Sequence, residues 1–298
     1  LSPYAGFISS NYNMDIDVTG FLKEANKIIS TLKNKYQHLY NTDNGTMSYM
    51  AWARSFTCHI CLHETDYFNS CYQQKDESWI RNTEFICKGC GVVNKVKTTN
   101  KEFETVFDKV LEMSRSKAKL VPVLINYKVM KSRNYKIPTK EDLEINSFCI
   151  NNLDNSNVPV SKLKEGFNTN QPIKSHGYNY VHDFYAPRTL FLLTELFKEI
   201  QNSPFKKALL FIYTSMLPKL TLLNRYMPEH GGRALVGPRA GTLYVPNLSI
   251  ENNLFEQFDF QLKKIVKAFT IVKRKNIGAV MSATKLSFKE GTIDYIFI

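Results

Sequence analysis

The sequence has no apolar run near the roughly 18 residues that a membrane-spanning helix needs, and no signal peptide is visible. It is also short of cysteine. Of six cysteines, four form two Cys-x-x-Cys pairs, and Cys71 and Cys149 have no matching partner, which leaves no disulfide scaffold to build. A reducing, cytoplasmic setting is the expectation. Acidic residues are outnumbered: 39 Lys and Arg face 27 Asp and Glu, for a formal net charge of +12. There is no basic amphipathic helix with an aromatic face, so the surplus favours nucleic acid over a membrane. A purely structural scaffold would have no use for it. What remains is a chain of 298 residues, 43% hydrophobic, enough for one large core or a domain with insertions.

The most informative stretch runs from Trp52 to Val92. Cys58 and Cys61 close one pair, Cys87 and Cys90 the other, and the pairs stand about 25 residues apart, the sequence form of a zinc ribbon. Two thiolates on one tight turn take two corners of a tetrahedron, and the second turn completes it. Gly89 and Gly91 give that second turn its backbone freedom. Four thiolates leave no open coordination position, so the Zn2+ would be structural. His59 and His63 lie close enough to substitute as ligands, and a dithiol redox pair is the other reading.

Along the chain, residues 1–13 read as a junction and a short apolar helix. Val18 to Tyr40 reads as an amphipathic helix with Phe21, Leu22, Ala25, Ile28, Ile29, Leu32 and Tyr36 on one side. Residues 101–113 are mixed in charge and carry no clear period. Ser114 to Lys136 contains no acidic residue, with a strand at Leu120 to Ile125 inside it; Tyr127 and Tyr135 among its cations suit phosphate contact and base stacking, or a solvated basic face. Lys140 to Asn170 is turn-rich. Pro187 starts a helix with Asp183 just ahead of it, and a second, nearly all-apolar helix follows from about Pro204 to Leu217. Lys219 to Gly241 is glycine-rich and basic, either a loop that folds over a phosphate backbone or an unstructured surface loop. Thr242 to Pro246 reads as a strand, Asn253 to Lys275 as a long amphipathic helix, and Gly278 to Ser282 and Thr292 to Ile298 as two further strands. A helix followed by two short apolar strands suits the tail of a doubly wound sheet.

These blocks together resemble amino-group DNA methyltransferases that carry a zinc-ribbon insertion. Val181-His182-Asp183-Phe184-Tyr185-Ala186-Pro187-Arg188-Thr189-Leu190 is similar to one block of that family. Asn224-Arg225-Tyr226 and Gly241-Thr242-Leu243-Tyr244-Val245-Pro246 are similar to two others. Ser282-Ala283-Thr284-Lys285-Leu286 and the run Ile293 to Phe297 resemble the cofactor-adenine block and the strand leading to the catalytic loop. The resemblance implies an α/β fold: a partial Rossmann-like, S-adenosylmethionine-dependent core with an inserted zinc ribbon and a mixed α+β DNA-recognition region. The corresponding segments are 1–45 (core), 46–100 (zinc ribbon), 101–175 (basic recognition), 176–250 (helices and basic loop) and 251–298 (core).

The resemblance also implies methyl transfer from S-adenosylmethionine to an exocyclic base amine in double-stranded DNA, adenine before cytosine. Leu1, Ser2, Ser282 and Ala283 would line the cofactor pocket. Arg115, Lys117, Lys131, Arg133, Arg188, Arg225, Arg233 and Arg239 would reach the DNA, and a restriction or accessory subunit is the further partner to expect. The family's glycine-rich cofactor loop and its Pro-Pro catalytic tetrad are not in the sequence. The expectation is a segment of a longer enzyme, inactive alone and with no catalytic residue of its own. The alternative is a non-catalytic nucleic-acid-binding module built on a zinc ribbon.

Overall fold

A computed structural model describes residues 3–42, 44–76, 78–130 and 132–271. The architecture is mixed α and β, and every strand pair among the described residues is antiparallel. The main sheet runs in the order Ser132–Lys136, Leu120–Val129, Gly45–Thr57, Leu248–Asn252, Arg225–Tyr226, Leu235–Val236. A parallel, doubly wound sheet is not found among the described residues. The strands expected at 278–282 and 292–298 lie outside them.

Gly45–Thr57 is the central strand, paired on one side with Leu120–Val129 and on the other with Leu248–Asn252. Alternation divides its side chains between two cores. Tyr49, Ala51 and Ala53 enter the cluster that also holds Tyr67, Phe68, Tyr72 and Phe85. Met50 enters the helical cluster, with Trp52 packed against it. Met47 shares the helical side with Met50 because the register slips between Asn126 and Tyr127, a bulge that restores the facing of the strand start.

The helical layer comes from three segments whose apolar spacing is plain in sequence. Val18–Tyr36 is capped by Asp17, whose Oδ1 accepts the Gly20 N–H at 3.0 Å, and it buries Phe21, Ala25, Ile28, Ile29 and Leu32. Each large apolar side chain of this kind contributes about 2 kcal/mol when fully buried. Pro187–Gln201 begins with proline where no backbone donor is required. Leu254–Ile271 buries Leu254, Phe258, Leu262, Ile265 and Phe269. Lys206–Leu220 completes the layer.

Elsewhere the structure corrects the expectations. Lys140–Asn151 is a helix with a Thr139/Asp142 capping box, not a run of turns. Residues 103–118 form a hairpin, Phe103–Asp108 with Met113–Ala118. Thr242 to Pro246 is not a strand; the pairing strand is Leu248–Asn252.

Arg188 is also corrected. It is 2% exposed and sits between the helices and the sheet, with Nε 3.3 Å from Glu251 Oε1 and NH1 donating to the Leu39 carbonyl at 2.8 Å. Trp52 Nε1 donates to the other Glu251 oxygen at 2.9 Å. Starting the helix at Pro187 turns Arg188 towards Glu251, so its charge is spent inside the protein. Removing one partner of such a buried pair strands the other charge. Arg188→Met is expected to cost about 3–5 kcal/mol in urea unfolding, and Arg188→Met with Glu251→Leu to recover most of the loss.

Candidate metal centre and basic surfaces

Cys58 follows directly on the last residue of the central strand. Its Sγ lies 3.7 Å from Cys90 Sγ, and Cys61 Sγ lies 3.5 Å from Cys87 Sγ. All four sulfurs are within 4.8 Å of one another. A tetrahedron with Zn–S bonds of about 2.3 Å has edges of about 3.8 Å, so the four can hold a metal ion such as zinc and leave it no free coordination position.

The surroundings suit thiolates. Ile60 N–H points at Cys58 Sγ (3.5 Å), Gly89 N–H at Cys87 Sγ (3.3 Å) and the fully buried Asn94 amide at Cys58 Sγ (3.4 Å). The backbone N–H groups of Cys61 and Ile60 draw the Cys58 thiol down to about 5. At Cys61 the lowering by the His63 backbone N–H is outweighed by the crowded neighbouring thiols, Cys90 first, which push it up to about 12 in the absence of a cation among them. Gly91 carries the φ of +73° that the second knuckle needs. His59 is turned away as a ligand, its Nδ1 resting 2.7 Å from Asn94 Oδ1. Cys71 and Cys149 are buried thiols pushed up to about 12 by burial.

The structure also brings together a group that the sequence did not announce. Asp108, Arg115, Lys117, His182 and Asp183 meet beside an apolar cavity of about 280 Å³ whose walls include Trp52, Leu120, Tyr185 and Leu190. Arg115 bridges the two carboxylates, with Nε 3.0 Å from Asp108 Oδ2 and NH2 2.6 Å from Asp183 Oδ1. Lys117 Nζ stands 2.5 Å from Asp183 Oδ1, and His182 Nε2 is 2.9 Å from Asp108 Oδ2. The Asn179 and Tyr180 N–H groups donate to the other Asp183 oxygen. Gly177, at φ +66° and pressed against the Ser116 carbonyl, lets this loop approach the hairpin; a Cβ there would lie 2.3 Å from that oxygen. Asp108, His182 and Asp183 are close enough together to ligate a metal. Two carboxylates already balanced by a guanidinium and an ammonium leave no charge to attract one.

Arg115 is buried and serves the interior, which corrects the expectation for it, while Lys117 is half-buried and paired with Asp183. Lys131 and the cofactor candidates Leu1, Ser2, Ser282 and Ala283 lie outside the described residues. Arg133, Arg233 and Arg239 are exposed, Arg225 is half-buried, and none of the four has a carboxylate partner among the described residues. Arg239 lies over the Tyr244 ring at 6.0 Å. The turn Pro228–Arg233 that carries Arg233 packs against Ser78–Arg81 of the cysteine-bearing region, with Arg81 3.8 Å from Glu229.

No protein-family model matches this sequence, and neither the curated proteins nor the solved structures contain a match to it. Among the described residues no helix is long and apolar enough to cross a membrane.

The thiolate surroundings predict that Asn94→Ala binds zinc about 10- to 100-fold more weakly, read by competition with a chromophoric chelator, while elemental analysis of the wild type gives one zinc per chain. The buried cluster predicts an acid limb. Burial alone would raise the Asp108 carboxyl, but His182 and Arg115 hold it down, at about 2. A carboxyl lowered on folding stabilises above its ordinary value near 4 and loses that contribution as pH falls through the folded value. Denaturation midpoints should fall between about pH 4 and pH 2 by an amount worth roughly 2 kcal/mol, and Asp108→Asn should flatten that limb.

Proposed function

We propose that this chain grips double-stranded DNA as the target-binding part of an S-adenosylmethionine-dependent amino-group methyltransferase, with adenine the favoured base. The observation that carries the DNA half is the sorting of charge. Arg115, Lys117 and Arg188 are consumed by buried carboxylates, whereas Arg133, Arg225, Arg233 and Arg239 stand without one in a chain of net charge +12. Unpaired arginines on exposed strands and loops suit phosphate and guanine edges, where two donors of one guanidinium engage two acceptors. The four-thiolate centre supports the same reading as a structural brace.

The methyltransferase half rests on the sequence blocks around Asp183, Arg225, Gly241 and Ser282. Its Rossmann-like core and its cofactor pocket at Leu1, Ser2, Ser282 and Ala283 belong to this proposal. The antiparallel arrangement of the described sheet favours a second reading, a non-catalytic zinc-ribbon module that binds nucleic acid. Both readings share the DNA contact and part at the chemistry.

Fluorescence anisotropy on a labelled duplex tests what they share. Binding should weaken with salt, and replacing Arg133, Arg233 and Arg239 by alanine should lower the slope of log affinity against log salt by about 2 to 3, at about 0.9 for each phosphate no longer neutralised. A wild-type chain that leaves the duplex free at low salt would refute the DNA reading. Transfer of a radiolabelled methyl group from S-adenosylmethionine to duplex adenine separates the enzyme from the binding module.

A further inference from the structure

Where the helix Lys206–Leu220 ends, the chain turns into the short strand Arg225–Tyr226, and the strand Leu235–Val236 returns beside it. Between these elements lies a cleft of about 190 Å³ lined by Lys219, Asn224, Arg225, Gly237, Asn252 and Gln257 together with apolar side chains and, among the described residues, by no carboxylate. Both cations close on one glycine. Arg225 Nε donates to the Gly237 carbonyl at 3.2 Å, which fixes the guanidinium and leaves its terminal nitrogens unspent. Lys219 Nζ rests where a side chain on residue 237 would begin, 3.0 Å from the position of a Cβ. Neither cation has an ion-pair partner among the described residues.

Like charges brought onto one point without a counter-charge repel each other, and an anion between them reverses the sign of the interaction. Arg115 and Arg188 are each answered by a carboxylate, whereas the described lining of this cleft holds none to answer the exposed Lys219 or the half-buried Arg225, and an anion from outside would supply that counter-charge. The amides of Asn252 and Gln257 add neutral polar lining. A tetrahedral oxyanion fits such a mix of fixed fork, mobile ammonium and amide.

We propose that the Lys219–Arg225–Gly237 cleft is a phosphate subsite that takes a single phosphodiester of the DNA backbone, shared by both cations. This deepens the DNA-binding reading given above and rests on it. Lys219 opens the basic Lys219 to Gly241 segment read from the sequence, where only the arginines were named as DNA contacts. The φ of Gly237 lies outside the left-handed region, so alanine fits the backbone there, and its Cβ would stand 3.0 Å from Lys219 Nζ, the movable end of a flexible side chain.

Duplex binding by Lys219→Ala, Arg225→Ala, the double variant and Gly237→Ala, each checked for an unchanged melting curve and zinc content, tests the assignment. Each single charge removal should lower the salt slope by about 0.9, and the double variant by no more than that in total, because one phosphate is shared. Gly237→Ala keeps both cations and should keep the wild-type slope. A double variant that loses twice the slope of either single would overturn the shared subsite while leaving DNA binding intact. Failure of the wild type to bind any duplex would remove the DNA reading and this occupant together. Phosphorus NMR of inorganic phosphate with the wild-type chain is the remaining arm: tight binding there, with duplex affinity unmoved by every variant, would mean a free-anion site and would also overturn the backbone assignment.

Discussion

The central strand and the metal centre are one continuous piece of chain. Thr57 is the last residue of Gly45–Thr57, and Cys58 is the first thiol. The strand is clamped on both sides by ladder hydrogen bonds, and its alternate side chains are divided between the helical core and the aromatic cluster beneath the cysteine-bearing region. Each knuckle is too small to bury an apolar core of its own. Their geometry is therefore set from two directions, by the strand that delivers Cys58 and by four sulfurs that converge on one point.

Charge is the second organising constraint. A surplus of +12 would oppose compaction if it were spread evenly. The protein spends some of its cations inside, where each meets a carboxylate: Arg188 with Glu251, and Arg115 and Lys117 with Asp108 and Asp183. These pairs tie together segments remote in sequence, and the hairpin 103–118 is held to the 178–184 loop largely through them. Among the described residues, the exposed and half-buried arginines left without a carboxylate lie in the 219–241 region and on the edge strand Ser132–Lys136.

Sequence reading was strongest where the cause is local. Thiol spacing along a single turn marked Cys58, Cys61, Cys87 and Cys90, and apolar period marked Val18–Tyr36, Pro187–Gln201 and Leu254–Ile271. It failed where the cause is remote. Lys140–Asn151 buries only Asp142 and Cys149, so it offers no stripe to read. Thr242 to Pro246 and Leu248–Asn252 are both short and partly apolar, and pairing with the central strand decides between them. An arginine looks the same in sequence whether or not a carboxylate folds onto it, and Asp183 is 68 positions from Arg115. His182 and Asp183 were in view within a recognisable block, but Asp108 lay in a stretch without period.

The packing of Pro228–Arg233 against Ser78–Arg81 carries a consequence for how the molecule ages. The arginine-bearing turn has little regular structure of its own and leans on a strand carried between the two cysteine pairs. Were the four thiols oxidised, any loosening of the segment between them would reach that turn through this shared face.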